Sequence, residues 1–319
     1  MNEESAGRPP LAEDGTELRR YERRHEAVES SPAFEPQPII APADLPAAIA
    51  ASSLTPGASA LLAGLLRLGR PAIFGGGGAG IEYGALLKTA ARPDIMGLHA
   101  REVADHLRER EVNLLMVPGM SGYPVGAMYA AVAGVPALLL KKQRHSSAAA
   151  STRYPAGSFV IPSYTGEGDV VMSADLVALR DIVATILAPQ LVAQRDAPEV
   201  TLVIRVAGAD DIIDKATMSQ AVSESALVVG QAALDQFVAE HRARTGDQRP
   251  ISGTVEVVAW VTPLIKGYNR PQEHLQRCFG IMPFAGLNVT AVTVDPPAIG
   301  IDGLGLVAFS QQPEDPTGS

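Results

Sequence analysis

The residues best suited to chemistry stand where an apolar run ends. Val200-Thr201-Leu202-Val203-Ile204 leads to two adjacent acids, Asp210 and Asp211. Two β-branched residues follow, then a third acid, Asp214, then Lys215-Ala216-Thr217-Met218, where a long helical pattern begins. Acids at a strand end accept hydrogen bonds from vicinal sugar hydroxyls. Amides of the next turn, at a helix N-terminus, hold an anionic phosphate. The strand end of an α/β sheet is also the usual ligand crevice. The plainer alternative is an acidic strand-to-helix loop with Asp214 as N-cap.

A second informative stretch runs from Asn113 to Lys142. It reads as strand, glycine-containing loop (Pro118 to Gly122, with Ser121), helix, Gly134-Val135-Pro136, strand, and the basic pair Lys141-Lys142. A lysine pair after an apolar strand suits diphosphate charge. Phe74 to Gly80 fits G-x-G-x-x-G at Gly75, Gly77 and Gly80, but no acid ends a second clear strand some twenty residues on. That run is read as a loop, with a dinucleotide site as a rival. His99, His145 and His274 show no metal-ligand spacing, so no transition-metal site is assigned.

The stretch Asp210 to Thr217 resembles the phosphoribosyl-diphosphate signature of the type I phosphoribosyltransferases, closest to the hypoxanthine-guanine form. Asn113 to Lys142 is similar to the first half of the adenine and xanthine members. The resemblance covers roughly residues 90 to 295. It implies that Asp210 and Asp211 face the ribose hydroxyls and hold Mg2+, and that Asp214 is the acid-base residue beside a purine-like base. It further implies that Lys215, Ala216, Thr217 and Met218 cradle the 5′-phosphate, and that Ser121, Gly122, Lys141 and Lys142 flank pyrophosphate. Lys266 would meet an exocyclic oxygen of the base and Tyr268 would stack on it. Ser163-Tyr164-Thr165-Gly166 resembles the family's flexible lid. The implied activity is phosphoribosyl transfer from a Mg2+-bound diphosphate donor to a nucleobase-like acceptor, in a chain that self-associates as a homodimer. Ala216 stands where the family carries glycine, so the second reading is a catalytically degenerate, nucleotide-sensing homologue. A competing placement lays the signature on Val170 to Ala178, keeps one acid, and makes residues 200–310 a separate domain.

Short, nearly continuous apolar runs must position these residues: 114–117, 137–140, 200–204, 255–261 and 289–294. Helical signals at 99–109, 122–133, 219–241 and 271–278 fall between them. The expectation is an α/β fold: a five-stranded, mostly parallel sheet flanked by helices, type I phosphoribosyltransferase-like, with a hood or flap. Residues 1–45 read as a mobile N-terminal arm, 46–310 as the domain and 311–319 as a tail. Residues 154–194 break the rhythm and are expected as an excursion beside the sheet.

Composition narrows the partners. The 319 residues carry a net charge of −9 with no basic stripe, so no nucleic acid is expected. No run reaches about 18 apolar residues, so no membrane span is expected. One cysteine, Cys278, excludes an internal disulfide and points to a reducing, cytoplasmic setting.

Overall fold

The computed structural model describes residues 9–22, 38–73, 79–88, 92–145, 152–162 and 169–309. Among them, sixteen strands and eight helices are numbered β1–β16 and α1–α8 in chain order. The five apolar runs form the centre of one sheet: β6 (Leu114–Pro118), β7 (Ala137–His145), β11 (Val200–Ala209), β13 (Ile251–Lys266) and β14 (Phe284–Val294). Their order is β7-β6-β11-β13-β14, and every neighbouring pair is parallel. β6 is buried along its whole length, as a strand covered on both faces must be.

The sheet holds twelve strands, not five. Beyond β7 lie β10 (Asp169–Ser173) and β9 (Phe159–Pro162), both antiparallel, with β2 (Arg19–Arg20) on the edge. Beyond β14 lie β15 (Pro297–Ile301), β16 (Gly305–Ala308) and β3 (Ile39–Ile40). β12 (Ile212–Ile213) pairs with the end of β13. A separate pair joins β1 (Leu11–Ala12) to β8 (Arg153–Tyr154). Part of the presumed arm is therefore docked: Ala12 and Tyr21 are buried. Within the expected excursion, β9 and β10 extend the sheet and α6 (Leu176–Ala193) is a core helix, and strands this short leave little periodicity to read.

Helices cover both faces. α6 (Leu176–Ala193), α7 (Thr217–Thr245) and α8 (Pro271–Phe279) close one core around Leu179, Val183, Val222, Leu275 and Trp260. α6 is long and apolar enough to cross a membrane by length and composition, and here it packs on β11 and α7. On the opposite face α2 (Pro56–Leu68), α4 (Pro93–Glu109) and α5 (Tyr123–Ala133) bury Leu61, Leu65, Val103 and Tyr129 against Leu115 and Val261. α1 (Leu45–Ala51) precedes them. β4 (Arg70–Ile73) and β5 (Ala79–Glu82) form a two-stranded hairpin of their own, followed by α3 (Gly84–Leu87). This hairpin rests beside β14 and β15, with no ladder to the main sheet among the described residues.

Chain direction sets the site. β6 connects through α5 to β7 on one side, and the chain then returns to β11 on the other. The strand order thus reverses between β6 and β11. In open α/β sheets a crevice opens at that point, outside the strands' carboxyl ends. Gly208, near the end of β11, is required by close approach: a Cβ there would sit 2.3 Å from the Trp260 ring.

Candidate functional site

Four loops meet at the carboxyl ends of β6, β11 and β13. The loop after β6 ends in Gly122, which caps α5; a Cβ on Gly122 would lie 2.8 Å from Asp210 Oδ1. Gly119, in the same loop, lies against the Leu140 carbonyl of β7, where a Cβ would approach to 2.6 Å. Tyr123 Oη donates to that same carbonyl at 2.5 Å. The loop therefore spans from the β7 edge to the acid pair, and only glycine fits at both contacts.

Asp210 and Asp211 leave β11 almost fully covered, at 9% and 2% exposure. Asp210 Oδ1 accepts the Asp211 amide at 2.9 Å. Burial pushes the Asp210 carboxyl well above the usual range, and the Asp211 charge adds to the shift. Asp211 Oδ2 accepts from Tyr83 Oη at 3.2 Å and faces Lys88 Nζ at 3.7 Å.

The third acid is held from the next strand. Asp214 accepts from Lys266 Nζ at 3.0 Å and from Asn269 Nδ2. β12–β13 pairing brings these groups together by setting Ile212 beside Leu264 and Ile213 beside Ile265. Tyr268 stands nearby, its phenol pushed up by burial and then by the Asp214 charge. α7 begins directly after. Ala216, not Asp214, is its N-cap, in the left-handed region at φ 58° and without a side-chain cap bond. The buried Thr217 Oγ1 has no hydrogen-bond partner among the described residues. A 29-residue helix thus opens on uncapped amides beside a hydroxyl.

No family model matches this chain, and no curated protein matches it. Solved structures do. An adenine phosphoribosyltransferase from Thermoanaerobacter pseudethanolicus shares 15% identity over 70% of this chain and 98% of its own, with a TM-score of 0.41. The Saccharomyces cerevisiae enzyme, solved with an imino-altritol bisphosphate and adenine, shares 13% over 72% and 99%, with a TM-score of 0.40. The Trypanosoma brucei enzyme, solved with AMP, pyrophosphate and ribose-5-phosphate, shares 12% over 73% and 80%, with a TM-score of 0.38. Scores this low carry no weight for activity, so the functional reading rests on the site's own residues.

Of the other expected residues, Lys141 stays next to the glycine loop, its charge acting on Tyr123, and several side chains have partners of their own. Lys141 and Lys142 do not end their strand, because β7 runs on to His145. Lys141 pairs with Asp175 at 2.7 Å, and Lys142 is exposed beside Met172 of β10. The Met218 side chain packs on the core that holds Trp260, leaving only its backbone near the turn. Lys215 is half-buried, and Ser121 precedes Gly122 in the loop. The Ser163–Gly166 lid, Gly75 and Gly77 lie outside the described residues.

The rival placements fail on topology. Gly80 lies within β5, which pairs antiparallel with β4, so among the described residues two hairpin strands flank the glycine run, not a strand and a helix. Asp175 caps α6 through the Val177 and Ala178 amides and pairs with Lys141. Residues 200–309 share the central sheet with β6 and β7 instead of forming a separate domain.

Three residues at the site escaped the sequence reading: Tyr83, Lys88 and Asn269. Tyr83 and Lys88 reach Asp211 from more than a hundred residues away, and no local pattern announces such a contact.

Proposed function

We propose that this chain is a phosphoribosyltransferase-like enzyme that binds the phosphoribosyl group of a diphosphate donor and moves it to a purine-like base. One observation carries the reading: the acid pair, the glycine loop and the uncapped start of α7 converge where the strand order reverses. Asp211 accepts from the ribose hydroxyls, with Asp210 behind it. The amides of residues 215–218 and the Thr217 hydroxyl take the 5′-phosphate. The 118–122 loop offers backbone to the leaving diphosphate. Asp214, oriented by Lys266 and Asn269, manages the base proton, and Tyr268 offers a face for stacking. Catalysis on this plan is positioning plus charge stabilisation.

The donor set fits Mg2+ through Asp211. Its carboxylate already faces an ammonium, so the position suits positive charge. Asp210 fits less well as a ligand, because burial favours its neutral form. Bound there, the cation supplies charge neutralisation for the departing diphosphate.

A second reading, a nucleotide sensor without turnover, is favoured by two observations. Lys141 is committed to Asp175, and Ala216, its methyl buried in the core, stands where the family's phosphate turn carries glycine.

Titration calorimetry with Mg2+ and phosphoribosyl diphosphate tests the shared site, and a panel of bases tests transfer. The double variant Asp210→Asn/Asp211→Asn should weaken donor binding by about 2 kcal/mol or more, as charged acceptors are lost. Unchanged binding removes the assignment. Binding by the parent chain without turnover selects the sensor.

A further inference from the structure

We propose, resting on the phosphoribosyl reading above, that Tyr83 and Lys88 are a built-in competitor for that site: a latch that the ligand must lift.

Three observations point to it. First, the pair reproduces the chemistry of the ligand on the same carboxylate. Tyr83 places a hydroxyl donor 3.2 Å from Asp211 Oδ2, where a sugar hydroxyl would donate. Lys88 places a cation 3.7 Å from the same oxygen, where a divalent ion would sit. Second, the two groups act as one unit, since the Lys88 ammonium lies 4.7 Å from the centre of the Tyr83 ring. Third, their support lies outside the main sheet. Tyr83 follows β5, and among the described residues the β4–β5 hairpin has no backbone ladder to the main sheet. Ile81, Leu86 and Leu87 anchor it in the core beside Leu61, so displacing Tyr83 and Lys88 works against that anchor but breaks no parallel-strand pairing. With the latch down, Asp211 is 2% exposed and Tyr83 7% exposed. A sugar and its cation therefore reach Asp211 only by displacing both groups.

The latch gives the site a threshold. Donor affinity is the intrinsic affinity multiplied by the fraction of molecules in which the latch is off Asp211. A ligand with only a hydroxyl, or only a cation, replaces half of the pair. A sugar phosphate carrying a divalent cation replaces both and adds the α7 phosphate contacts. The latch thus selects for the cation-loaded donor over free ribose or the free ion.

The test uses the full chain as parent, Tyr83→Phe and Lys88→Met. The first keeps the buried ring and deletes only the hydroxyl; circular dichroism checks that both fold. Hydrogen exchange without added ligand should quicken several-fold over residues 79–88, with β6 and β11 unchanged. Calorimetry with Mg2+ and phosphoribosyl diphosphate should show about tenfold tighter binding in each variant, the scale of one charge-assisted contact. Unaltered exchange over residues 79–88 overturns the latch. So does a donor that binds the parent and binds neither variant more tightly. Quicker exchange with no donor binding in any form leaves the latch standing and sinks the phosphoribosyl reading.

Discussion

Burying two neighbouring carboxylates costs stability, and Asp210 shows where that cost falls. Its carboxyl is held well above its ordinary value of 3.8 by desolvation and by Asp211. The native chain therefore binds more protons than the unfolded chain between those two values. Stability falls as pH rises through that window. Asp210→Asn removes the penalty, so its midpoint of thermal unfolding at pH 7 should exceed the parent's. The gain should vanish as pH drops below about 3.8, where both states are protonated. An equal midpoint at pH 7 would contradict the burial argument. The same substitution is expected to weaken donor binding, which makes Asp210 a residue retained against stability. Ala216 is similar in kind. A non-glycine residue in the left-handed region costs roughly 1–2 kcal/mol, partly offset by burial of its methyl in the core.

At the scale of elements, the N-terminal segment is a strap rather than a free arm. Tyr21 packs edge-on against Phe159 of β9 with ring centres 5.8 Å apart. Its hydroxyl donates to Glu224 of α7 at 2.5 Å. Arg20 grips Asp169 of β10 with two bonds of 2.6 Å. One short segment thus ties the β9–β10 edge to the helix whose N-terminus faces the site. Tyr21→Ala should cost about 3 kcal/mol in chemical denaturation, as large aromatic truncations in cores do. Tyr21→Phe, which keeps the ring, should lose far less. A Tyr21→Ala variant as stable as the parent would show that the strap is ornamental. The strap was illegible beforehand for a simple reason. Its stretch is charged and aperiodic, and its few apolar residues find partners only in tertiary structure.

For the whole molecule, the central sheet is a wall common to both cores. β11 shows this directly: Val200, Leu202, Ile204 and Val206 face one core, and Ala207 and Ala209 the other. Neither side can melt without exposing the wall of its neighbour. Unfolding in urea should therefore be a single transition. The fluorescence of Trp260, the chain's one tryptophan, reports the α6–α7 side. Its curve should superimpose on that of far-ultraviolet circular dichroism, which reports the whole. Separated midpoints would mean that the two layers unfold independently.

Sequence alone determined the central strands and the helices that separate them. Runs buried on both faces are apolar throughout, and that signal is local. It also marked the acids at the end of β11 and the glycine loop after β6, because charged and glycine residues breaking an apolar pattern stand out along the chain. Tertiary structure decided the rest. Parallel pairing set β6 beside β11 and thereby brought Gly122 against Asp210. Continuation of β7 past Lys142 placed the lysine pair within a strand, with Lys141 bound to Asp175. Only the folded hairpin revealed that Asp211 has Tyr83 and Lys88 as partners. Such contacts join residues far apart in the chain. They depend on which strands lie side by side, and that arrangement leaves no periodic trace in the sequence.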